Sequence, residues 1–226
     1  MEDMKRYAIY YAPPEGAFAR HASAWLGWDA ATGQAVEQPD LGLPAADITR
    51  DPRRYGFHGT LKPPFRLAEG RDAGGLHDAL SRLAAQLAPV TLSGLKLASL
   101  GGFLALIPQG DTTPLQTLAA TVVAALDGFR APLTEAEIAR RRPDLLTPRQ
   151  RELLDLWGYP YVMDEFRFHL TLSDRLDEPL ASEAARVLDA HFAPVLPRPF
   201  RLAELCLFGE GEDGRFRLLH RYALSG

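Results

Sequence analysis

His58-Gly-Thr60-Leu and His169-Leu-Thr171-Leu repeat one pattern at positions 111 residues apart. An imidazole with a free pKa near 6.5 can take or give a proton at neutral pH, so two of them can serve as base and acid in one turnover. A threonine hydroxyl two residues further on can donate to the non-bridging oxygens of a phosphoryl group. Side chains alternate across a strand, which places Arg54, Gly56, His58, Thr60 and Lys62 on one face and Phe57, Gly59 and Leu61 on the other. The second motif divides in the same way, with Arg167, His169, Thr171 and Ser173 opposed to Phe166, Phe168, Leu170 and Leu172. The apolar faces are expected to pack on a core and turn the His-Thr faces toward a cleft. Within each motif the two side chains stand about 6–7 Å apart along the strand. His58, Thr60, His169 and Thr171 are therefore the candidate catalytic set. Arg54, Lys62, Arg167 and Ser173 are candidates for holding the anion and balancing developing charge.

A lone histidine on a strand is more often structural than catalytic. Two copies of His-x-Thr-Leu in a chain of six histidines shift that balance toward chemistry. His21, His77, His191 and His220 have no motif around them and read as structural or exposed. Each motif offers one metal ligand, and no Cys, Asp or Glu cluster of zinc-like spacing accompanies it, so neither a metal nor another cofactor is expected.

Two successive β-α-β-β units must position these motifs. Residues 55–61 read as a strand, 76–87 as a helix, and 90–97 and 103–107 as strands; the pattern returns as 166–172, 180–192, 200–208 and 216–222. Such a repeat implies an internal duplication with an approximate two-fold relation. Before it, residues 5–12 form a strand stopped by Pro13-Pro14, 15–27 a short amphipathic helix, and 28–52 a long Gly-, Pro- and Asp-rich loop. The whole chain, 1–226, is expected to be one bilobal domain with a first lobe over 1–112 and a second over 113–226.

Capping boxes signpost helices between the halves: Thr113-Pro114-Leu-Gln116, Thr134-Glu-Ala-Glu137 and Thr147-Pro148-Arg-Gln150 predict helices over 114–128, 135–141 and 148–157. Residues 133–161 read as an insertion leading into the second motif and as a substrate-selecting lid. Its arginines, with Arg140 and Arg141 as the candidate ligands, could grip a further phosphate in bidentate fashion.

With 46% hydrophobic and 24% charged residues, 226 residues can bury a full core. A formal net charge of -4 lacks the basic field of non-specific nucleic-acid binding, which disfavours a long polynucleotide partner but not a small phosphorylated substrate. Cys206, within Leu205-Cys206-Leu207-Phe208, reads as a small core residue. No stretch approaches a membrane span and the first residues lack an apolar signal core, so no membrane partner and a cytoplasmic location are expected.

The two motifs, each opening a duplicated lobe, resemble those of the 2H phosphoesterase superfamily, which includes 2',3'-cyclic phosphodiesterases and RNA-end-processing enzymes. The strings Arg-Tyr-Gly-Phe-His58-Gly-Thr60-Leu-Lys-Pro-Pro-Phe and Phe-Arg-Phe-His169-Leu-Thr171-Leu, with the Tyr-Ala-Ile-Tyr start and the helical insertion, are similar to the branch often encoded beside phosphonate-utilisation genes. That resemblance implies an α+β fold of bilobal, duplicated β-α-β-β lobes whose histidines face each other across a cleft. It also implies metal-independent hydrolysis of a small cyclic phosphodiester, such as a ribose cyclic phosphate arising in phosphonate breakdown. Two alternatives stay open: an RNA 2',3'-cyclic-end phosphodiesterase, and a non-catalytic phosphate- or RNA-binding module. The acidic charge weighs against the first and the intact His and Thr pairs against the second.

Overall fold

The computed structural model describes residues 4–226. The chain opens with β1 (Arg6–Tyr11) and α1 (Ala17–Leu26). A small hairpin of β2 (Trp28–Asp29) and β3 (Gln34–Ala35) and two short helices, α2 (Ala45–Ile48) and α3 (Arg50–Tyr55), fill the segment expected to be a loop. The first unit follows as β4 (Gly59–Phe65), α4 (Ala73–Ala84), β5 (Val90–Leu92), β6 (Gly94–Leu100) and β7 (Phe103–Gln109). Between the units lie α5 (Thr113–Ala125), α6 (Glu135–Arg140) and α7 (Pro148–Trp157). The second unit is β8 (Leu170–Arg175), α8 (Leu180–Phe192), β9 (Phe200–Leu202), β10 (Glu204–Glu210) and β11 (Phe216–Ala223).

Seven strands form one antiparallel sheet in the order β11-β10-β1-β4-β8-β7-β6, and the fold is α+β. The expected duplication is visible in the pairing, because equivalent strands meet each other: β4 pairs with β8, and β5 with β9 in a separate two-stranded ribbon. The hairpin β6-β7 of the first unit lies beside β8 of the second, while β10-β11 of the second lies beyond β1 and β4. Each half of the sheet thus draws strands from both halves of the chain.

Alternation along β1 separates two cores. Tyr7, Ile9 and Tyr11 face the main cluster, where Leu76 and Leu80 of α4, Leu115 and Val122 of α5, and Leu188 and Phe192 of α8 are buried. Ala8, Tyr10 and Ala12 face a smaller cluster with Cys206, Phe208, Phe216 and Trp28. Each fully buried Leu or Phe contributes about 1.5–3 kcal/mol of transfer free energy, which makes the helical side the dominant source of stability.

Three boundaries depart from expectation in ways that matter for the site. Residues 50–55 are helical because the Asp174 carboxylate accepts hydrogen bonds from the first N–H groups of α3, Arg50 and Asp51, both at 3.1 Å. Gly56 ends that helix at φ 71, where a Cβ would stand 2.6 Å from the Ala30 side chain. The strands therefore start at Gly59 and Leu170, one residue after each histidine. The expected strands 90–97 and 200–208 each break once, at Ser93 and Ala203, so that their first parts leave the main sheet to pair with one another.

Thr134/Glu137 and Thr147/Gln150 close complete capping boxes. The box expected at Thr113 does not form. Thr112 holds the cap position of α5, and the Thr113 hydroxyl donates instead to Asp111 at 2.7 Å.

Candidate active site

Gly59 of β4 lies directly opposite Leu170 of β8, each being the residue after a motif histidine. Continued one residue either way, this register sets His58 across from Thr171 and His169 across from Thr60. In that register the two histidines are diagonal neighbours, which lie roughly 7–8 Å apart in an antiparallel pair, a span that a tetrahedral phosphoryl group can bridge. Only glycine permits the approach, because a Cβ on Gly59 would fall 2.3 Å from the buried Phe168 ring.

Both imidazoles are oriented by the same local device. His58 Nδ1 is 2.9 Å from the Gly56 carbonyl and His169 Nδ1 is 2.8 Å from the Arg167 carbonyl. A carbonyl can only accept, so Nδ1 carries the hydrogen and Nε2 is left to exchange protons. The two surroundings differ. The His58 ring stacks on Tyr10 at 3.9 Å between centroids, with Tyr55 at 5.8 Å, and burial pushes its pKa down to about 4 against the pull of the Gly56 carbonyl. The positive charge that His169 would carry lowers it further. His169, 5.6 Å from Phe103, is also lowered by burial.

A cleft of about 320 Å³ opens over this junction. His58, Thr60, Thr171 and Ser173 are in its walls, as are Tyr10 and Arg6 of β1, Asp51 and Tyr55 of α3, Phe103 of β7, Asp174 and Arg175 of β8, and Arg141 and Tyr159 of the insertion. His169 is not a wall residue, although Phe103 beside it is.

Several expected binding residues are elsewhere. Arg54 is exposed on α3 rather than on a strand, and Arg167 is exposed ahead of β8 and meets the site only through its carbonyl. Lys62 is buried, and its amine donates to the Val123 carbonyl at 3.2 Å and to Asp127 at 3.3 Å. Burial brings its pKa down to about 8, opposed by Asp127. A bulge explains the misplacement: Tyr10 opposes Thr60, but the next residue back, Ile9, opposes Lys62 and not Leu61. The extra residue turns Lys62 out of the alternation and toward the helical side on which Ile9 lies. Ser173 does line the cleft, but its hydroxyl is taken up, accepting from the Leu104 N–H and donating to the Asp174 carbonyl. Of the insertion's two candidates, Arg141 reaches the cleft and Arg140 is exposed away from it.

Tyr10, Tyr55, Asp51, Arg6, Arg175 and Tyr159 were missed. Arg175 had a signal, since it continues the alternation His169, Thr171, Ser173. Tyr10 had none, because only the pairing of β1 with β4 carries it to Thr60.

An antiparallel α+β sheet in which two equivalent His-x-Thr strands cross at the centre defines a duplicated two-histidine cleft protein. The family model described as "Protein of unknown function (DUF1045)" matches residues 60–217, and the chain belongs to that family. It is 42% identical over 218 residues to the protein named ribose 1,5-bisphosphate phosphokinase PhnN of Laribacter hongkongensis (strain HLHK9), covering 94% of this chain and 50% of that protein. To the protein of the same name in Janthinobacterium sp. (strain Marseille) it is 39% identical over 200 residues, covering 85% and 44%. The chain spans about half the length of these curated relatives. A solved phosphoesterase structure is similar over 99% of this chain and 100% of its own, with a TM-score of 0.44 and 18% identity.

Proposed function

We propose that this chain is a metal-independent phosphoesterase of the two-histidine kind that opens a small cyclic phosphodiester. The observation that carries the reading is the pair of imidazoles on abutting strands, each with Nδ1 held by a carbonyl and Nε2 free for proton transfer. His58, whose basicity burial lowers most clearly, is the neutral base that takes a proton from the attacking water. His169 holds the proton that the leaving oxygen receives. A new P–O bond forms to water oxygen, one ester P–O bond breaks, and the ring opens to a monoester and a hydroxyl. Thr60 and Thr171 donate to the non-bridging oxygens as their charge grows.

A bound phosphate anion favours the protonated imidazole, so the substrate itself helps set up the one-proton state that the reaction needs. The relatives are named for a ribose phosphate, which supports a ribose cyclic phosphate as the substrate class. A role in phosphonate breakdown follows the same line, through the resemblance of the motifs.

A panel of cyclic phosphates comparing ribose 1,2-cyclic with nucleoside 2',3'-cyclic forms tests the reading. On any active substrate, His58→Ala and His169→Ala should each lower kcat by about 10² to 10⁴ while the protein stays folded, and the double variant should be barely worse. Full activity after loss of either histidine would sink the two-histidine mechanism.

A further inference from the structure

Arg6 of the cleft wall is committed to Glu210, and arginines of the insertion and its base are likewise paired: Arg66 to Glu137, Arg130 to Asp127, Arg142 to Asp144, and Arg149 to Asp164 and Glu152. Two wall residues of the cleft are not. The guanidinium of Arg141, at the end of α6, lies 4.6 Å over the Tyr159 ring and makes neither a hydrogen bond nor an ion pair among the described residues. Arg175, the last residue of β8, likewise has no such partner and is exposed. A cation–π contact holds the Arg141 guanidinium in place while leaving its N–H donors available, and two guanidinium groups with free donors are suited to bidentate capture of phosphate oxygens.

We propose that Arg141 and Arg175 form a second anion subsite beside the histidine pair, and that the substrate is a pentose cyclic phosphate bearing a further phosphate. This deepens the phosphoesterase reading and rests on it for the first phosphate. Arg175 ends β8, four residues beyond Thr171 and opposite Phe103, so the subsite is displaced along the strand from the reacting phosphorus and does not duplicate the threonines.

The carboxylates of the wall point to what lies between the two phosphates. Asp174 is occupied by the N–H groups at the start of α3, whereas the Asp51 carboxylate accepts no hydrogen bond among the described residues. A free carboxylate repels a bare anion but accepts from a hydroxyl, which suits a sugar. A cleft of about 320 Å³ falls at the small end of ligand pockets and suits a single sugar ring with two phosphates.

The test measures binding apart from turnover. Ribose 1,5-bisphosphate and ribose 5-phosphate are titrated calorimetrically into wild-type protein, Arg141→Gln, Arg175→Gln and the double variant, with thermal melting as the check on folding. Wild type should bind the bisphosphate about tenfold or more tightly than the monophosphate, and the double variant should bring that preference within about threefold. In parallel, hydrolysis of a ribose cyclic phosphate is followed with and without a 5-phosphate. KM for the phosphorylated form should rise about tenfold in the double variant, with the plain form unchanged within about twofold.

Equal wild-type affinity for the two sugars, or a preference that survives in the double variant, overturns the subsite. So does tighter binding of a dinucleotide ending in a 2',3'-cyclic phosphate, which would assign the arginines to an RNA backbone. If neither cyclic ester is hydrolysed, the phosphoesterase reading falls, and the calorimetry still decides the subsite.

Discussion

His58 and His169 share a motif and a backbone anchor, yet their surroundings make them chemically unequal. His58 sits against two tyrosines and has its pKa pushed to about 4, while His169 is lowered by burial beside a single phenylalanine. Both imidazoles are therefore mostly neutral at pH 7 in the unliganded protein. The productive state holds one proton between them, and its population falls as pH rises through the His169 pKa and again as pH drops toward the His58 pKa. Because kcat/KM reports the free protein, its pH profile should be a bell whose maximum lies on the acid side of about 6.5. The profile of kcat should be displaced to higher pH, since bound phosphate raises imidazole basicity. A kcat/KM maximum above neutrality, measured with an active cyclic phosphate in constant-ionic-strength buffers, would contradict this assignment of roles.

At the scale of elements, the site depends on how closely β4 and β8 cross. Their ladder is short, with Gly59 and Leu170 as its one bridge, and Phe168 fills the space where a side chain on residue 59 would go. Trp25 of α1 helps hold β8 from below, its indole N–H donating to the Leu172 carbonyl at 2.7 Å. Gly59→Ala should therefore force Phe168 or the strands apart, costing about 1–3 kcal/mol by overpacking. It should also lower kcat more than it raises KM, because the imidazoles would separate while the outer arginines stay in place. Urea unfolding and steady-state kinetics read the two effects; an alanine variant as stable and as active as the parent would show that the crossing has slack.

The insertion is tied down at its base: Arg66 pairs with Glu137, and Leu153 and Val162 pack on Val123 of α5. This fixed frame carries Arg141 and Tyr159 to the cleft. Leu145, Leu156 and Tyr161 remain exposed on it.

Taken as a whole, the molecule combines a net charge of -4 with a cleft whose walls hold Arg6, Arg141 and Arg175. Asp51 and Asp174 stand in the same walls, so the cleft offers a small anion the free donors of Arg141 and Arg175 rather than a broad positive field, and gives a long polyanion no track along the surface. Among the described residues no three His, Cys, Asp or Glu side chains converge as a metal-binding group, and no helix is long and apolar enough to cross a membrane. With two proton-transfer groups present, hydrolysis should persist after prolonged chelator treatment and dialysis. Loss of activity with recovery on one particular divalent ion would transfer the chemistry to a metal.

Local rules acting along the chain determined a good deal by themselves. The two His-x-Thr motifs marked the strands that meet at Gly59 and Leu170, two capping boxes marked α6 and α7, and the repeated β-α-β-β pattern announced the duplication. These features depend on neighbours within a few residues, so the sequence contains the information they need. Other features required the assembled sheet. The bulge that turns Lys62 toward Asp127 is a relation between β4 and β1; the stacking of Tyr10 on His58 joins residues 48 positions apart; and the capping of α3 by Asp174, which makes Arg54 helical, comes from the other motif strand. Pairing and register are long-range choices decided by which apolar faces can be buried together, and it is those choices that settle which charged side chains reach the cleft and which are neutralised elsewhere.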